Sequence, residues 1–181
     1  MIAVAFVAKG LSLLAVGAAL LTGCAGEAWA DPAFPGVEQA LGDITVSGDV
    51  HNPSTVTMDA LRAFPLRSQT VTFESSAGTQ HHTYVGAALN DVVSAAEPIV
   101  DAAAKHPMLP VVILATGADG YRAALAWAEA SPEVSAATVL VAYTEDGLPL
   151  EQPRLVVSGD LSGARYVRDL VDLRIANLSP H

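Results

Sequence analysis

Residues 153–168, PRLVVSGDLSGARYVR, join an apolar segment to a glycine-containing turn that carries two further arginines. The part from Arg154 to Val157 predicts a β-strand, because β-branched residues favour the extended chain and a serine-glycine pair ends the run. Four of the chain's seven arginines lie in its last thirty residues: Arg154, Arg165, Arg168 and Arg174. This concentration of positive charge indicates either one local anion site or arginines that are solvated on the surface.

Three upstream segments carry further glycine-containing turns: YVGAALNDV at 84–92, TGADGYRAAL at 116–125 and AYTEDGLPL at 142–150. The Asp-Gly pairs of the last two predict tight turns more simply than catalytic acids, because aspartate and glycine tolerate the backbone conformations that turns require. Strand and helix patterns alternate along the chain without a strict βαβ repeat or a G-x-G-x-x-G loop. This order predicts an α+β domain with mixed sheets and short helices.

In this order and spacing, the four segments resemble the molybdopterin-binding domain of the sulfite oxidase-type oxidoreductases. The family has an aspartate-glycine-tyrosine turn, then a glycine-proline-leucine turn, then an arginine-leucine-valine-valine strand that leads to a glycine-alanine-arginine motif. The resemblance covers roughly residues 44–175. It implies a mixed-sheet molybdopterin-binding fold and places the chain in a family of oxidoreductases.

The same resemblance implies a cofactor site from which one element is missing. The family's enzymes ligate molybdenum through a cysteine that precedes a glycine, and residues 73–78 read FESSAG at that place. A serine hydroxyl is a much poorer donor than a thiolate, so we predict that the metal is lost and that the domain has no catalytic residue. Molybdopterin itself stays a candidate cofactor, with Arg165 and Arg168 on its phosphate. The alternative for Arg165 is a surface ion pair with an acid.

Residues 1–23 predict a signal peptide, because an apolar run at 11–22 follows the single charge of Lys9. Residues 21–24, LTGC, resemble the lipobox of bacterial lipoproteins, in which the cysteine, here Cys24, becomes the lipidated first residue. Residues 24–36 then predict a tether and residues 37–181 the globular domain. We expect an exported lipoprotein on the outer side of the cytoplasmic membrane. The alternatives are free secretion after cleavage following Ala30, and a leader that is retained as a membrane anchor.

The composition of the chain excludes some classes of partner and some kinds of site. The 181 residues carry a formal net charge of −10, which argues against general nucleic-acid binding. A single cysteine excludes an internal disulfide and a cysteine-based zinc site.

Patterning predicts the individual elements. They are strands at 44–47, 69–74, 82–85, 138–143, 154–157 and 167–175, a helix at 58–64 capped by Thr57, two short helices or one kinked helix at 89–105, and a buried central strand at 111–115, where the apolar run is continuous.

Two other groups of residues are weaker candidates for a functional site. His81 and His82 lie next to each other on a predicted strand, so their side chains point to opposite faces and do not easily chelate one metal. Ser75 or Ser76 with one of these histidines and Asp91 supplies the residue types of a hydrolase triad, but no G-x-S-x-G elbow is present.

The sequence therefore predicts a non-catalytic module that binds a pterin or another small anion, or that interacts with a protein. The alternative is a molybdopterin-dependent oxidoreductase acting outside the cytoplasm. A third hypothesis is a subunit whose protein partner supplies the chemistry.

Overall fold

The computed structural model describes residues 42–179, which form two β-sheets with three short helices. The predicted signal peptide, the tether and Cys24 lie outside these residues. The larger sheet has the order β2-β1-β9-β5-β6, with strands Ser54–Val56, Ile44–Gly48, Leu170–Asn177, Val111–Gly117 and Arg122–Ala126. The smaller sheet has the order β3-β4-β7-β8, with strands Leu66–Ser75, Gly78–Ala88, Val139–Glu145 and Leu148–Val157. The predicted mixed-sheet α+β fold is confirmed.

The centre of the larger sheet is β9, which pairs in parallel with β1 and antiparallel with β5. Its inward side chains Leu170, Leu173 and Ile175 are almost fully buried. Residues 111–115 were predicted to form a buried central strand, and β5 does lie inside the sheet, between β9 and β6. Only its alternate residues are fully buried, because the strand turns one face to the core. The middle place in the sheet belongs to the last strand of the chain.

Helix α1, Met58–Ala63, begins where the sequence predicts it. The Thr57 hydroxyl accepts a hydrogen bond from the Ala60 amide at 3.1 Å and so caps the helix, and Pro65 follows its end. Leu61 is the residue that this helix buries. No helix within residues 42–179 is long and apolar enough to cross a membrane.

The prediction of one kinked or two short helices at 89–105 is wrong in its second half. Helix α2 covers only Leu89–Ala95, and residues 97–110 form bends and turns. The chain leaves the helix at Glu97, whose φ of 53° is left-handed, and Pro98 then bridges to Val50 of the loop after β1. The chain contacts that loop and does not continue as a helix. Proline also disfavours a helix at this position. Helix α3, Trp127–Ala130, and strands β2 and β6 were not predicted.

The long hairpin β3–β4 forms one side of the candidate site. Its ten residue pairs run from Leu66 opposite Ala87 to Ser75 opposite Gly78, so the predicted hairpin is confirmed and extended at both strands. At Gly86 a Cβ atom would lie 2.2 Å from the carbonyl oxygen of Val141, so only glycine lets β4 approach β7 here. The tip of the hairpin reaches the segment after β8, where Glu74 bridges to Ser162.

Candidate functional site

An open cleft of about 450 Å³ lies between the tip of hairpin β3–β4 and the 3₁₀ turn Gly163–Arg165. Two of the four sequence motifs that carry the family resemblance supply lining residues of this cleft. A third, the aspartate-glycine-tyrosine turn, contacts one of these lining segments. Its lining consists of aromatic, hydroxyl and charged side chains with two small residues: Phe73, Glu74, Ser75, Ser76, Tyr84, Arg154, Ser162, Gly163, Ala164, Tyr166 and Arg168.

The wall of the cleft depends on a glycine and an aromatic pair. The rings of Phe73 and Tyr166 are 4.6 Å apart, centroid to centroid. A Cβ atom on Gly163 would lie 2.9 Å from the Phe73 ring, so the glycine of the glycine-alanine-arginine motif lets the turn pack against β3. The Tyr121 hydroxyl donates a hydrogen bond to the carbonyl oxygen of Ala164. The aspartate-glycine-tyrosine turn thus holds this motif in place from the other sheet.

The floor of the cleft is a polar network around Glu145. Nη1 of Arg154 lies 2.8 Å from both carboxylate oxygens of Glu145 and 3.0 Å from the Tyr84 hydroxyl. The Tyr84 hydroxyl itself donates to Glu145 at 2.7 Å. Burial, together with the hydrogen bond to this carboxylate, raises the pKa of Tyr84 to about 12. The Arg154 charge is therefore already compensated within the fold.

His82 extends this network toward solvent. Its Nδ1 lies 2.7 Å from Asp146 and 3.4 Å from Glu145. The backbone amide of Thr83 donates to Asp146 at 2.8 Å, and this bond, with the one from His82, lowers the pKa of the Asp146 carboxyl. His81 lies on the opposite face, with its Nδ1 2.8 Å from the Thr72 hydroxyl. The two histidines point to opposite faces, as predicted.

Arg165 and Arg168 are three residues apart but differ in their surroundings. Arg165 donates through all three guanidinium nitrogens, to both oxygens of Asp160 at 2.6 and 2.9 Å and to Glu129 at 2.7 Å. These hydrogen bonds raise the pKa of Arg165. This is the ion pair that the sequence left open as the alternative. The role of Arg165 on a cofactor stays a prediction.

Arg168 faces the cleft and is exposed. It forms no ion pair or side-chain hydrogen bond with any of residues 42–179. Its backbone is held closely, since a Cβ atom on Gly117 would lie 2.6 Å from the Arg168 carbonyl oxygen. Arg168 therefore gives the cleft a cation whose backbone is held in place and whose guanidinium is free to bind a ligand.

Ser75 and Ser76 stand at the hairpin tip, on the cleft. The Ser75 hydroxyl donates to the Gly78 carbonyl at 3.0 Å and accepts from the Ala77 amide at 3.1 Å, so the turn itself holds it. The Ser76 hydroxyl has no such partner among the described residues. Asp91 lines a different pocket, and His82 pairs with Asp146, so the structure does not assemble the suggested hydrolase triad.

A buried hydroxyl lies beside the cleft without a partner. Tyr166 is 9% exposed, and its hydroxyl oxygen makes no hydrogen bond within the described chain. Burial and the nearby Asp160 charge raise the pKa of Tyr166 to about 12. The Arg154 Nε is likewise buried and unpaired. Unsatisfied buried polar atoms are uncommon, and both of these belong to residues that line the cleft.

The model of the family described as "Oxidoreductase molybdopterin binding domain" matches residues 34–178. The chain belongs to this family. None of the curated proteins matches it in sequence. Among solved structures, the molybdopterin-binding fold found here is similar to the sulfane dehydrogenase SoxCD from Paracoccus pantotrophus, with a TM-score of 0.61 at 20% sequence identity. The match covers 75% of this chain and 38% of that chain, so the present protein spans well under half of that enzyme's chain.

The side chains at the cleft of this molybdopterin-binding domain do not fit a molybdenum centre. Where the resemblance assigns a cysteine, the side chains facing the cleft are the Ser75 and Ser76 hydroxyls, which are poor donors for a soft metal. Within residues 42–179, no group of three or more histidine, cysteine or acidic side chains could hold a metal ion. The cleft offers hydroxyls, aromatic faces, the Glu74 carboxylate and the unpaired Arg168 guanidinium, and these suit an anion of low charge better than a soft metal.

Sequence reasoning missed Glu145 and Tyr84 as parts of the site. Both lie inside the segments that carried the resemblance, but nothing in the sequence shows that they share a network. Strands β4 and β7 place Tyr84 directly opposite Glu145. That register becomes known only when the sheet is formed, because the two residues are 61 positions apart.

Proposed function

We propose that this domain binds a small, flat anion in the cleft and performs no molybdenum redox chemistry. One observation carries the proposal: Ser75 and Ser76 stand at the hairpin tip where the family's enzymes have a thiolate, and they share the cleft with the unpaired Arg168. A pocket lies at this place, and hydroxyls stand where the resemblance assigns the metal donor. Such a site can hold a ligand without acting on it.

Charge favours an anion of low charge. The positive charge of Arg154 is compensated by Glu145 on the floor of the cleft. The Glu74 carboxylate also lines the cleft and accepts a hydrogen bond from the neutral Thr79 hydroxyl at 2.6 Å, so it keeps its negative charge and disfavours a highly charged anion. Arg168 therefore supplies the attraction, and one guanidinium can bind a carboxylate or phosphate through two parallel hydrogen bonds.

Shape favours a flat ligand. Phe73, Tyr84 and Tyr166 present ring surfaces around a space of about 450 Å³, which lies within the usual range for small-molecule sites. Aromatic rings pack well against flat heterocycles. A pterin with an anionic substituent combines both properties, as do other aromatic carboxylates and phosphates.

Metal analysis and pterin fluorescence of the protein extracted from its native host test the first half of the proposal. We expect less than a tenth of a molybdenum atom per chain. Molybdenum near one per chain would overturn the proposal and favour the alternative, a molybdopterin-dependent oxidoreductase, whose expected place outside the cytoplasm is a separate question. The family match across residues 34–178 is what favours that alternative.

The Ser75→Cys and Ser76→Cys variants sharpen this test. Each restores a thiol at the hairpin tip without adding bulk to the core, since both residues are exposed. If the hydroxyls are what excludes the metal, at least one variant produced in a host that synthesises molybdopterin gains molybdenum while the parent protein does not. Equal metal content in all three proteins would count against the serines as the cause.

Titration with pterin-6-carboxylate, followed by fluorescence quenching, tests the second half. We expect saturable binding that weakens at least tenfold in Arg168→Gln. Lys105→Gln is the matched control, because Lys105 is an exposed cation that does not line the cleft. Equal affinity of wild type and Arg168→Gln would remove Arg168 from the site, and absence of saturable binding would refute a pterin-like ligand.

We further propose that the protein is exported and held on the outer side of the cytoplasmic membrane by lipid on Cys24. Support comes from the LTGC motif behind an apolar leader. Detergent-phase partitioning of wild type and Cys24→Ala tests this anchor. Wild type should enter the detergent phase, and the variant should stay in the aqueous phase. Equal partitioning would favour secretion after cleavage following Ala30.

A protein partner at the membrane is a further proposal, which crosslinking before extraction tests.

A further inference from the structure

A second pocket, of about 310 Å³, lies away from the cleft and shares no lining residue with it. It is bounded by the start of β3, the junction of β4 with α2, and the segment between α3 and β7. Small apolar side chains form most of its wall: Ala88, Ala130, Pro132, Ala137 and Val139. The remaining lining residues are Arg67, Asn90, Asp91 and Thr138.

Two opposite charges face this pocket without meeting. Arg67 and Asp91 both line it, yet no guanidinium nitrogen of Arg67 lies within 4.0 Å of a carboxylate oxygen of Asp91. Neither forms an ion pair or side-chain hydrogen bond with another of the described residues. A charged pair separated across a concave, partly apolar space offers one end to an anion and the other to a cation.

Asn90 adds a hydrogen-bond acceptor. Its Oδ1 is buried and has no partner within residues 42–179. A buried acceptor without a donor costs free energy, and because this oxygen is almost closed off, a ligand N–H group recovers that cost only when the Asn90 side chain turns toward the pocket. The acceptor and the Asp91 carboxylate belong to neighbouring residues that both line the pocket. Together they suit an ammonium group, which has three N–H donors.

We propose that this second pocket binds a small zwitterion of the α-amino-acid class. The carboxylate of the ligand pairs with Arg67, and its ammonium group pairs with Asp91 and the Asn90 Oδ1. A short aliphatic side chain contacts the apolar wall formed by the alanines, Pro132 and Val139. This site is independent of the proposed anion cleft.

Isothermal titration of the purified full-length protein with L-valine tests the proposal. We expect saturable binding, with N-acetyl-L-valine and L-valinamide at least tenfold weaker, because each derivative removes one of the two charges. Arg67→Gln and Asp91→Asn should each weaken L-valine binding at least tenfold. Arg67 is exposed on β3, so Arg67→Gln keeps the test valid even if Asp91→Asn disturbs α2. Circular dichroism establishes that each variant is folded.

Three control variants assign any binding to this pocket. Lys105→Gln and Glu151→Gln remove exposed charges that do not line it and should leave the L-valine affinity unchanged. Arg168→Gln should also leave it unchanged, since Arg168 lines only the other cleft. The proposal is overturned if L-valine shows no saturable binding, if Arg67→Gln and Asp91→Asn bind it as wild type does, or if Arg168→Gln abolishes binding.

Discussion

The floor and the rim of the cleft use the same kinds of side chain in opposite ways. On the floor, the Glu145 carboxylate compensates the Arg154 guanidinium and accepts the Tyr84 hydroxyl proton in a hydrogen bond. On the rim, Arg168 and the Ser76 hydroxyl have no partner among the described residues. Polar groups that are saturated by the fold contribute to its stability, whereas groups left open at the surface of a cleft are available to a ligand. Stability and binding should therefore respond to different substitutions.

The largest effect on stability is expected for Glu145→Gln. The substitution leaves the Arg154 charge, whose side chain is 17% exposed, without its counter-ion. Breaking a buried ion pair costs several kcal/mol, and partial exposure reduces this, so we expect a loss of about 2–3 kcal/mol in the free energy of unfolding. Urea denaturation measures it. The control is Glu151→Gln, an exposed acid that should change stability by less than about 0.5 kcal/mol. Equal stability of the two variants would mean that the floor network is not structural.

The comparison is sharpest at the two neighbouring arginines. Arg165→Gln should lower stability by about 1 kcal/mol, because it removes partly exposed ion pairs with Asp160 and Glu129, while pterin-6-carboxylate binding should persist. Arg168→Gln should do the reverse, weakening binding at least tenfold with little change in the urea midpoint. The same response from both variants, in either assay, would show that the two side chains do not differ as their contacts indicate.

Gly163→Ala tests whether the packing of the cleft wall affects ligand binding. The new Cβ atom would approach the Phe73 ring to 2.9 Å, so the ring must move. Overpacking of this kind costs about 1–2 kcal/mol, and the displaced ring also alters the wall of the cleft. We expect a loss of stability near the lower end of that range, together with weaker ligand binding. Gly78→Ala serves as a comparison, since no atom lies within 4 Å of a Cβ there, although its positive φ carries a cost of its own. Unaltered binding in Gly163→Ala would uncouple the turn from the site.

A last effect on stability, confined to alkaline pH, is expected from two buried tyrosines. In the folded protein the pKa of Tyr84 and of Tyr166 is raised to about 12, whereas an unfolded tyrosine loses its proton near pH 10. Their contribution to stability is complete below pH 10 and is lost as the pH rises from 10 through 12. The urea midpoint should therefore fall over this range, and less steeply in Tyr84→Phe. An identical slope in wild type and Tyr84→Phe would contradict the role assigned to burial of this hydroxyl.

Local structure was predictable where a local cause exists. Thr57 and Pro65 delimit α1 because a hydroxyl cap and the following proline act within one helical turn. The turns at Gly120 and Gly147 have φ values of 82° and 81°, as their Asp-Gly pairs indicated. Residues 97–110 show the limit of this reasoning. Their composition allowed a helix, but contacts with the loop after β1 decided otherwise.

By itself the sequence determined the order of the motifs, the Ser75-Ser76 pair at the hairpin tip and the surplus of arginine near the end of the chain. Only the tertiary structure decided which arginine is available. Asp160 and Glu129 approach Arg165 from the segment after β8 and from α3, and Glu145 reaches Arg154 across β7 and β8. The charge of a residue is written in the sequence. Whether that charge is compensated depends on which acids the folded chain brings close: Asp160 from only five residues away, Glu129 from a helix and Glu145 from the neighbouring strand.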